Sequence, residues 1–203
     1  MKTIYNILLL ISIIISPFIT NAQANILKFE NEKKSKSTFN FKLVNNLIII
    51  PVIINQSDTL NFILDTGLKT SLITNLPKKD SSMLKLAQKY TIKGLGIEGN
   101  LDVFLSYGNK IRMNGIVCNN YNFYIITDDK FNLSGELGMN IHGLIGADIF
   151  ENFIVKINYS NNTLTFFDPQ KFKYPRKNRN SQEMDLEISK SKPYINLNIK
   201  NEK

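Results

Sequence analysis

One cysteine and one histidine are all that this chain of 203 residues holds, and each scarcity removes a class of chemistry. With Cys118 alone, no disulfide can form within the chain. Cys118 ends the apolar run Gly115-Ile116-Val117-Cys118 and reads as a small buried hydrophobe, pairing between chains being the other use of a lone exported thiol. His142 has no recognisable Ser–Asp companion and no His/Cys cluster around it. It reads as a loop residue, and neither a metal nor a cofactor is expected. Long hydrophobic runs are missing as well: residues 7–15, interrupted only by Ser12, fall short of the about 20 residues that a membrane-spanning helix needs. Acidic charge is in deficit, with 17 Asp and Glu against 25 Lys and Arg and a formal net charge of +8. The basic excess gathers in Lys33-Lys34-Ser35-Lys36 and in residues 171–179, which flank the apolar middle of the chain and read as solvated linkers. No nucleic-acid-binding module accompanies them.

What is present begins with a leader. Lys2 precedes the apolar run, Pro17 breaks it, and Ala22-Gln23-Ala24 offers a small-x-small cleavage site, which together form the pattern of a secretory signal peptide over residues 1–24. No cysteine lies near the cleavage site to carry a lipid anchor. The mature chain is therefore expected to be exported, periplasmic or extracellular, with no stable membrane span. A composition of 43% hydrophobic and 21% charged residues is ordinary for a globular protein with one core. Residues 25–38 are polar and aperiodic and read as a flexible leader.

From residue 39 to residue 168 the pattern is that of short strands. Leu47-Ile48-Ile49-Ile50-Pro51-Val52-Ile53-Ile54 is too short and too β-branched for a helix. A turn at residues 55–58 and the strand Thr59-Leu60-Asn61-Phe62-Ile63-Leu64 complete a hairpin, with Pro51 marking an edge or a bulge. A short helix is expected near residues 82–88. Gly94-Leu95-Gly96-Ile97-Glu98-Gly99 reads as a mobile hairpin tip; with no helix after it, it is no dinucleotide fingerprint. Strands are expected at residues 101–106, 111–117 and 121–126, with a turn at 107–110, and residues 130–141 read as a polar loop. Gly143-Leu144-Ile145-Gly146 ends a strand before a short helix near Ala147. Asp148 fits that helix's first turn by capping or by its place in the helix dipole. Residues 154–167 make a last hairpin. The pattern as a whole is an all-β barrel or sandwich.

The unusual carboxylate is Asp65. It follows Phe62-Ile63-Leu64 at the end of a strand, where ionising an acid is costly, and Thr66-Gly67 turns the chain directly after it. Taken alone, the three residues are compatible with an ordinary strand-to-turn transition and with a carboxylate presented to a cleft.

The order of the pieces then decides between them. A hairpin delivers Asp65-Thr66-Gly67, a glycine-rich hairpin follows, and Leu144-Ile145-Gly146, a short helix and a last hairpin close the set. This arrangement, and the wording of residues 143–159, resembles one lobe of the retropepsin-like aspartyl protease family, in particular its exported bacterial members, over residues 39–168. The resemblance implies a closed or partly open single-lobe β-barrel with one or two short helices. It implies Asp65 as catalytic aspartate and Thr66 and Gly67 as the rest of the active-site loop. Gly94, Leu95, Gly96, Ile97, Glu98 and Gly99 become the flap, and Leu144, Ile145 and Gly146 the element that packs beneath the loop. Leu68 departs from the small residue usual at its position, which would narrow the cleft or mark a lobe that has lost competence.

Aspartic proteolysis uses two carboxylates sharing one proton, and this chain has one Asp-Thr-Gly. The second must come from a homodimer partner or from a second lobe. Residues 169–192 read as a basic linker, and residues 193–203, which parallel the strand and turn ahead of Asp65, as the first strand of a second lobe cut short. The expected function is an aspartic endopeptidase acting on peptide or protein substrates. The competing class is a non-catalytic exported β module that binds peptides or a protein partner.

Overall fold

The computed structural model describes residues 25–77, 81–84, 86–93, 100–126, 131–176, 179–189 and 192–196. The expected signal peptide and the expected flap lie outside them. Five strands lead up to the Asp-Thr-Gly turn: β1 (Lys28–Phe29), β2 (Lys36–Asn40), β3 (Lys42–Val44), β4 (Leu47–Ile54) and β5 (Leu60–Leu64). After it come β6 (Leu72–Ile73), β7 (Leu86–Lys93), β8 (Asn100–Met113), β9 (Ile116–Ile126), helix α1 (Leu133–Leu137), β10 (Gly143–Ile145) and helix α2 (Asp148–Asn152). The chain finishes with β11 (Ile154–Asn158), β12 (Thr163–Phe167), β13 (Glu187–Ser189) and β14 (Lys192–Tyr194).

Six strands close into a barrel. The order β9-β6-β10-β5-β4-β8 is completed by pairing of β8 with β9, so the sheet returns on itself. Closure leaves these strands no open edge, which removes a template for aggregation. Among the described residues the fold is all-β with two short helices, in keeping with the expected β-barrel. Two neighbours within the ring are parallel, β10 with β5 and β6 with β9. A second sheet, β11-β12-β2, packs beside the barrel, and β13 with β14 makes a separate hairpin.

The apolar run of β4 owes its length to burial on both faces. Ile48, Ile50, Val52 and Ile54 point into the main core with Phe62, Phe123 and Phe166. Ile49 pairs with Ile63 and joins Ile141 in a second cluster, against which Leu133 and Leu137 of α1 pack. Pro51 lies where β4 changes partner on one side: residues 47–49 pair with β3 and residues 53–54 with β8. A residue with no N–H to donate is tolerated at such a switch.

Four local expectations are corrected. Residues 25–38 are not a loose leader: β1 pairs with β9 and β2 with β12, and Leu27 and Phe29 are buried, each strand adding itself to the end of a sheet. The helix expected at residues 82–88 gives way to β7, whose pairing with β8 runs from Leu86 to Lys93. Residues 107–110 do not end a strand. β8 continues through them with an irregular register, and Gly108 takes the positive φ of 67° that the kink requires. The hairpin turn falls instead at Asn114-Gly115, with φ of 39° and 80°, the pair of positive angles of a type I′ turn. Residues 133–137 of the expected polar loop form α1, closed by Gly138 in the left-handed conformation.

Residues 169–192, expected as linker, include β13, and β14 takes up the start of the expected second-lobe strand; the two pair with each other and leave Leu186, Ile188, Tyr194 and Ile195 exposed. Among the described residues no helix is long and apolar enough to cross a membrane.

Candidate active site

β5 delivers Asp65. Phe62 and Ile63 are buried and Leu64 is half-buried, so the strand is fixed up to the residue before the acid. Gly143, Leu144 and Ile145 of β10 run parallel to it in register with Phe62, Ile63 and Leu64. The Asp65 N–H continues that ladder by donating to the Ile145 carbonyl at 2.9 Å. The carboxylate then turns back on its own loop, Oδ1 accepting the Gly67 N–H at 2.8 Å. A Cβ added at Gly67 would lie 3.3 Å from that oxygen, so glycine lets the backbone come this close. Thr66 and Gly67 are exposed and Asp65 is half-buried.

Beyond the turn, the chain is clasped twice more from below. The Ala147 N–H donates to the Leu68 carbonyl at 2.7 Å, and the Gly146 N–H donates to Ser71 Oγ at 2.9 Å. Both glycines of Gly143-Leu144-Ile145-Gly146 are set by close approach. A Cβ at Gly143 would stand 2.1 Å from the Leu72 carbonyl oxygen, and one at Gly146 would stand 2.4 Å from that of Leu68. These neighbours are backbone and cannot swing away. Leu144, Ile145 and Gly146 are therefore brought against the loop of Asp65, Thr66 and Gly67. The side chain of Leu68 packs against the cluster of Leu72, Leu101, Val103 and Ile126.

Two residues that sequence reasoning did not single out complete the underside. Ser71 and Tyr121 are fully buried, with Ser71 Oγ 2.7 Å from the Tyr121 hydroxyl. Tyr121 in turn donates to Asp148 Oδ2 at 2.6 Å. The only advance signal was an aromatic with a hydroxyl in a core strand, which needs a partner when buried. Asp148 does not cap its helix: Ala147 is the N-cap residue and no side-chain bond caps it. Instead the carboxylate faces inward, where Asn25 Nδ2 also donates to Oδ2 at 3.2 Å. Burial lifts the Asp148 carboxyl above the usual aspartate range, and the two donors oppose that rise. Burial, reinforced by the Asp148 charge, pushes the Tyr121 phenol well above the ordinary tyrosine value.

His142 has a structural use. Its Nδ1 accepts the Asn61 N–H at 2.9 Å, which requires the neutral ring, while its own N–H and carbonyl bond to Asn61 and Thr74. Cys118 is buried and its thiol is raised by that burial, an inert environment for a thiol. Among the described residues no group of three or more His, Cys, Asp and Glu could hold a metal ion.

The aspartyl protease family model matches residues 50–149, a span that contains both the Asp-Thr-Gly loop and the Leu-Ile-Gly segment beneath it. Among solved structures, a retropepsin-like aspartic protease from Rickettsia conorii aligns over 66% of this chain and 99% of its own, at 16% identity and a TM-score of 0.42. None of the curated proteins matches. With the family's matched span lying on a closed barrel whose β5 and β10 bring Asp65 and Gly146 to one loop, this chain belongs over residues 50–149 to the aspartyl protease family.

Proposed function

We propose that the chain is an exported aspartic endopeptidase in which Asp65 supplies one of two catalytic carboxylates and a second copy, or a second lobe, supplies the other. The observation that carries this reading is the seating of Asp65: a half-buried acid at the end of a buried strand, its loop held at three points by residues 145–147. In such a pair one carboxylate is ionised and takes a proton from water, and the other is protonated and polarises the scissile carbonyl. Two like charges at close range raise one pKa and hold the pair in the mixed state. Thr66 and Gly67 shape the loop so that the Asp65 oxygens face the partner carboxylate. The packing of Leu68 against Leu72, Leu101, Val103 and Ile126 supports competence, since it gives the side chain a place in the core. Export rests on the leader pattern of residues 1–24, and N-terminal sequencing of the mature protein checks it.

The decisive experiment is Asp65→Asn with an unfolding curve run beside the assay: cleavage should vanish while stability holds. Cleavage surviving at full rate would falsify the role of Asp65. If two copies build the site, specific activity should rise with protein concentration through the range where sedimentation detects dimer. Activity proportional to concentration in a strict monomer removes the two-copy arrangement. An inactive monomer at all concentrations returns the chain to the competing class, a β module that binds peptides.

A further inference from the structure

Four polar groups stand in series beneath the loop that carries Asp65. The backbone N–H of Gly146 reaches Ser71 Oγ at 2.9 Å, Ser71 Oγ lies 2.7 Å from the Tyr121 hydroxyl, and that hydroxyl lies 2.6 Å from Asp148 Oδ2. The direction of the protons follows from the chemistry of the ends. Gly146 can only donate, and the ionised Asp148 can only accept. Tyr121 therefore gives its proton to Asp148, Ser71 gives its proton to Tyr121, and the Ser71 lone pair is left facing Gly146. Ser71 and Tyr121 are each 0% exposed, so water does not compete for these positions. Asn25 closes the outer side: Nδ2 donates to Asp148, Oδ1 accepts the Asn122 N–H, and its carbonyl accepts Asn152 Nδ2.

We propose that Asp148 is a positioning residue for hydrolysis at Asp65, acting through Tyr121 and Ser71 to hold Gly146 against the active-site loop, with Asn25 fixing its outer side. This rests on the reading of Asp65 given above. Of the three bonds that clasp the loop, two are backbone to backbone and are set by the fold. The third ends on a hydroxyl that can rotate, and only an ordered series of acceptors behind it decides where its lone pair points. Without the acceptor at Asp148, the Tyr121 proton is free to turn toward Ser71. The serine proton then turns toward Gly146, where it opposes a donor. A displacement of about 1 Å at a reacting group can cost about a hundredfold in rate, so a loop held by two points instead of three is enough to be felt.

The test is amide hydrogen exchange on the full chain, read beside cleavage of a fluorescently labelled, denatured casein. Tyr121→Phe keeps the ring and removes one atom of the series. It should speed exchange roughly tenfold or more at the amides of Asp65, Gly146 and Ala147, leaving the amides of β11 and β12 unchanged. It should also lower kcat roughly tenfold with KM within about twofold. Asp148→Asn, whose side-chain oxygen still accepts from Tyr121, should stay near wild type in both readouts, whereas Asp148→Ala should behave like Tyr121→Phe. Unchanged exchange at the three clasp amides overturns the proposal. So does a rise spread evenly over both sheets, which is the mark of lost stability alone. Should Tyr121→Phe not fold, Ser71→Ala removes the acceptor of Gly146 directly and is read the same way. Full activity in Asp65→Asn would remove the aspartic reading and with it the link to hydrolysis at Asp65. The exchange comparison separately decides whether Asp148 holds Gly146 against the loop, whether or not the casein is cleaved.

Discussion

The loop that bears Asp65 and the helix start that bears Asp148 lie on opposite sides of one backbone clasp, and they treat a carboxylate in opposite ways. Asp65 stands on an exposed turn and bonds to an amide two residues along. Asp148 turns away from its own helix, into contact with a buried phenol from β9 and an amide from the N-terminal segment. The first is held by short-range geometry that a tripeptide can encode. The second is held by residues separated from it by 27 and 123 positions, which only barrel closure brings together. An acid placed to react needs its lone pairs turned outward, and an acid placed to support needs them consumed.

The largest effect that would break this contrast is on turnover. Asp65→Asn should reduce peptide cleavage by roughly 10²–10⁴-fold, the usual contribution of a general acid or base, with the unfolding midpoint little changed; a comparable loss of stability would mean that Asp65 is also a supporting acid. Gly146→Ala strikes both sides at once, since the added methyl carbon meets the Leu68 carbonyl at 2.4 Å. Urea titration should show a destabilisation of about 1–3 kcal/mol or more together with loss of activity. A fully stable Gly146→Ala protein would show that the loop and the strand beneath it can separate freely. Asp148→Ala removes the acceptor of a buried hydroxyl, and calorimetry should register a loss of about 1–3 kcal/mol.

The smallest effect is a slope against pH. Because burial raises the folded-state pKa of Asp148 above its unfolded value, the folded chain binds more protons between the two. Its stability is fully present below the unfolded value and falls as pH rises through the folded one. Tyr121, Asn25 and the more distant Cys118 are the groups that face it. Replacing Asp148 with Asn should flatten that part of the stability profile, and an unchanged profile would place the slope on another carboxylate.

How much could be read in advance divides along the same line. The run of β4, the hairpin into β5 and the acid at its end were legible because their signals are local: β-branched residues, a turn cluster, and a carboxylate where an apolar strand stops. The short helix after Gly146 was legible too, from the glycine and the change of period. Ser71 and Tyr121 were not, since nothing in their neighbourhoods distinguishes a hydroxyl that will face a carboxylate from one that will face water. The misplaced hairpin turn has a different cause. Gly108 lies in the turn-like run Tyr107-Gly108-Asn109-Lys110, while the stronger hairpin cue is the Asn-Gly pair at residues 114 and 115. Left-handed backbone among the described residues is taken up largely by asparagine, at positions 45, 46, 55, 114, 132 and 162. Turns counted by glycine are therefore undercounted. The helix α1 was hidden by its polarity, with only Leu133 and Leu137 facing Ile49 and Ile63.

Asn25 carries one more consequence. It is the residue directly after Ala22-Gln23-Ala24, and its side chain is the outermost member of the set that grips Asp148. If the proposed leader is cut after Ala24 that grip stays intact, whereas a cut one bond later would delete it, so the accuracy of leader removal would bear on the geometry beneath the Asp65 loop. Two forms differing by that single N-terminal residue would then differ in the support beneath Asp65 while sharing the same barrel.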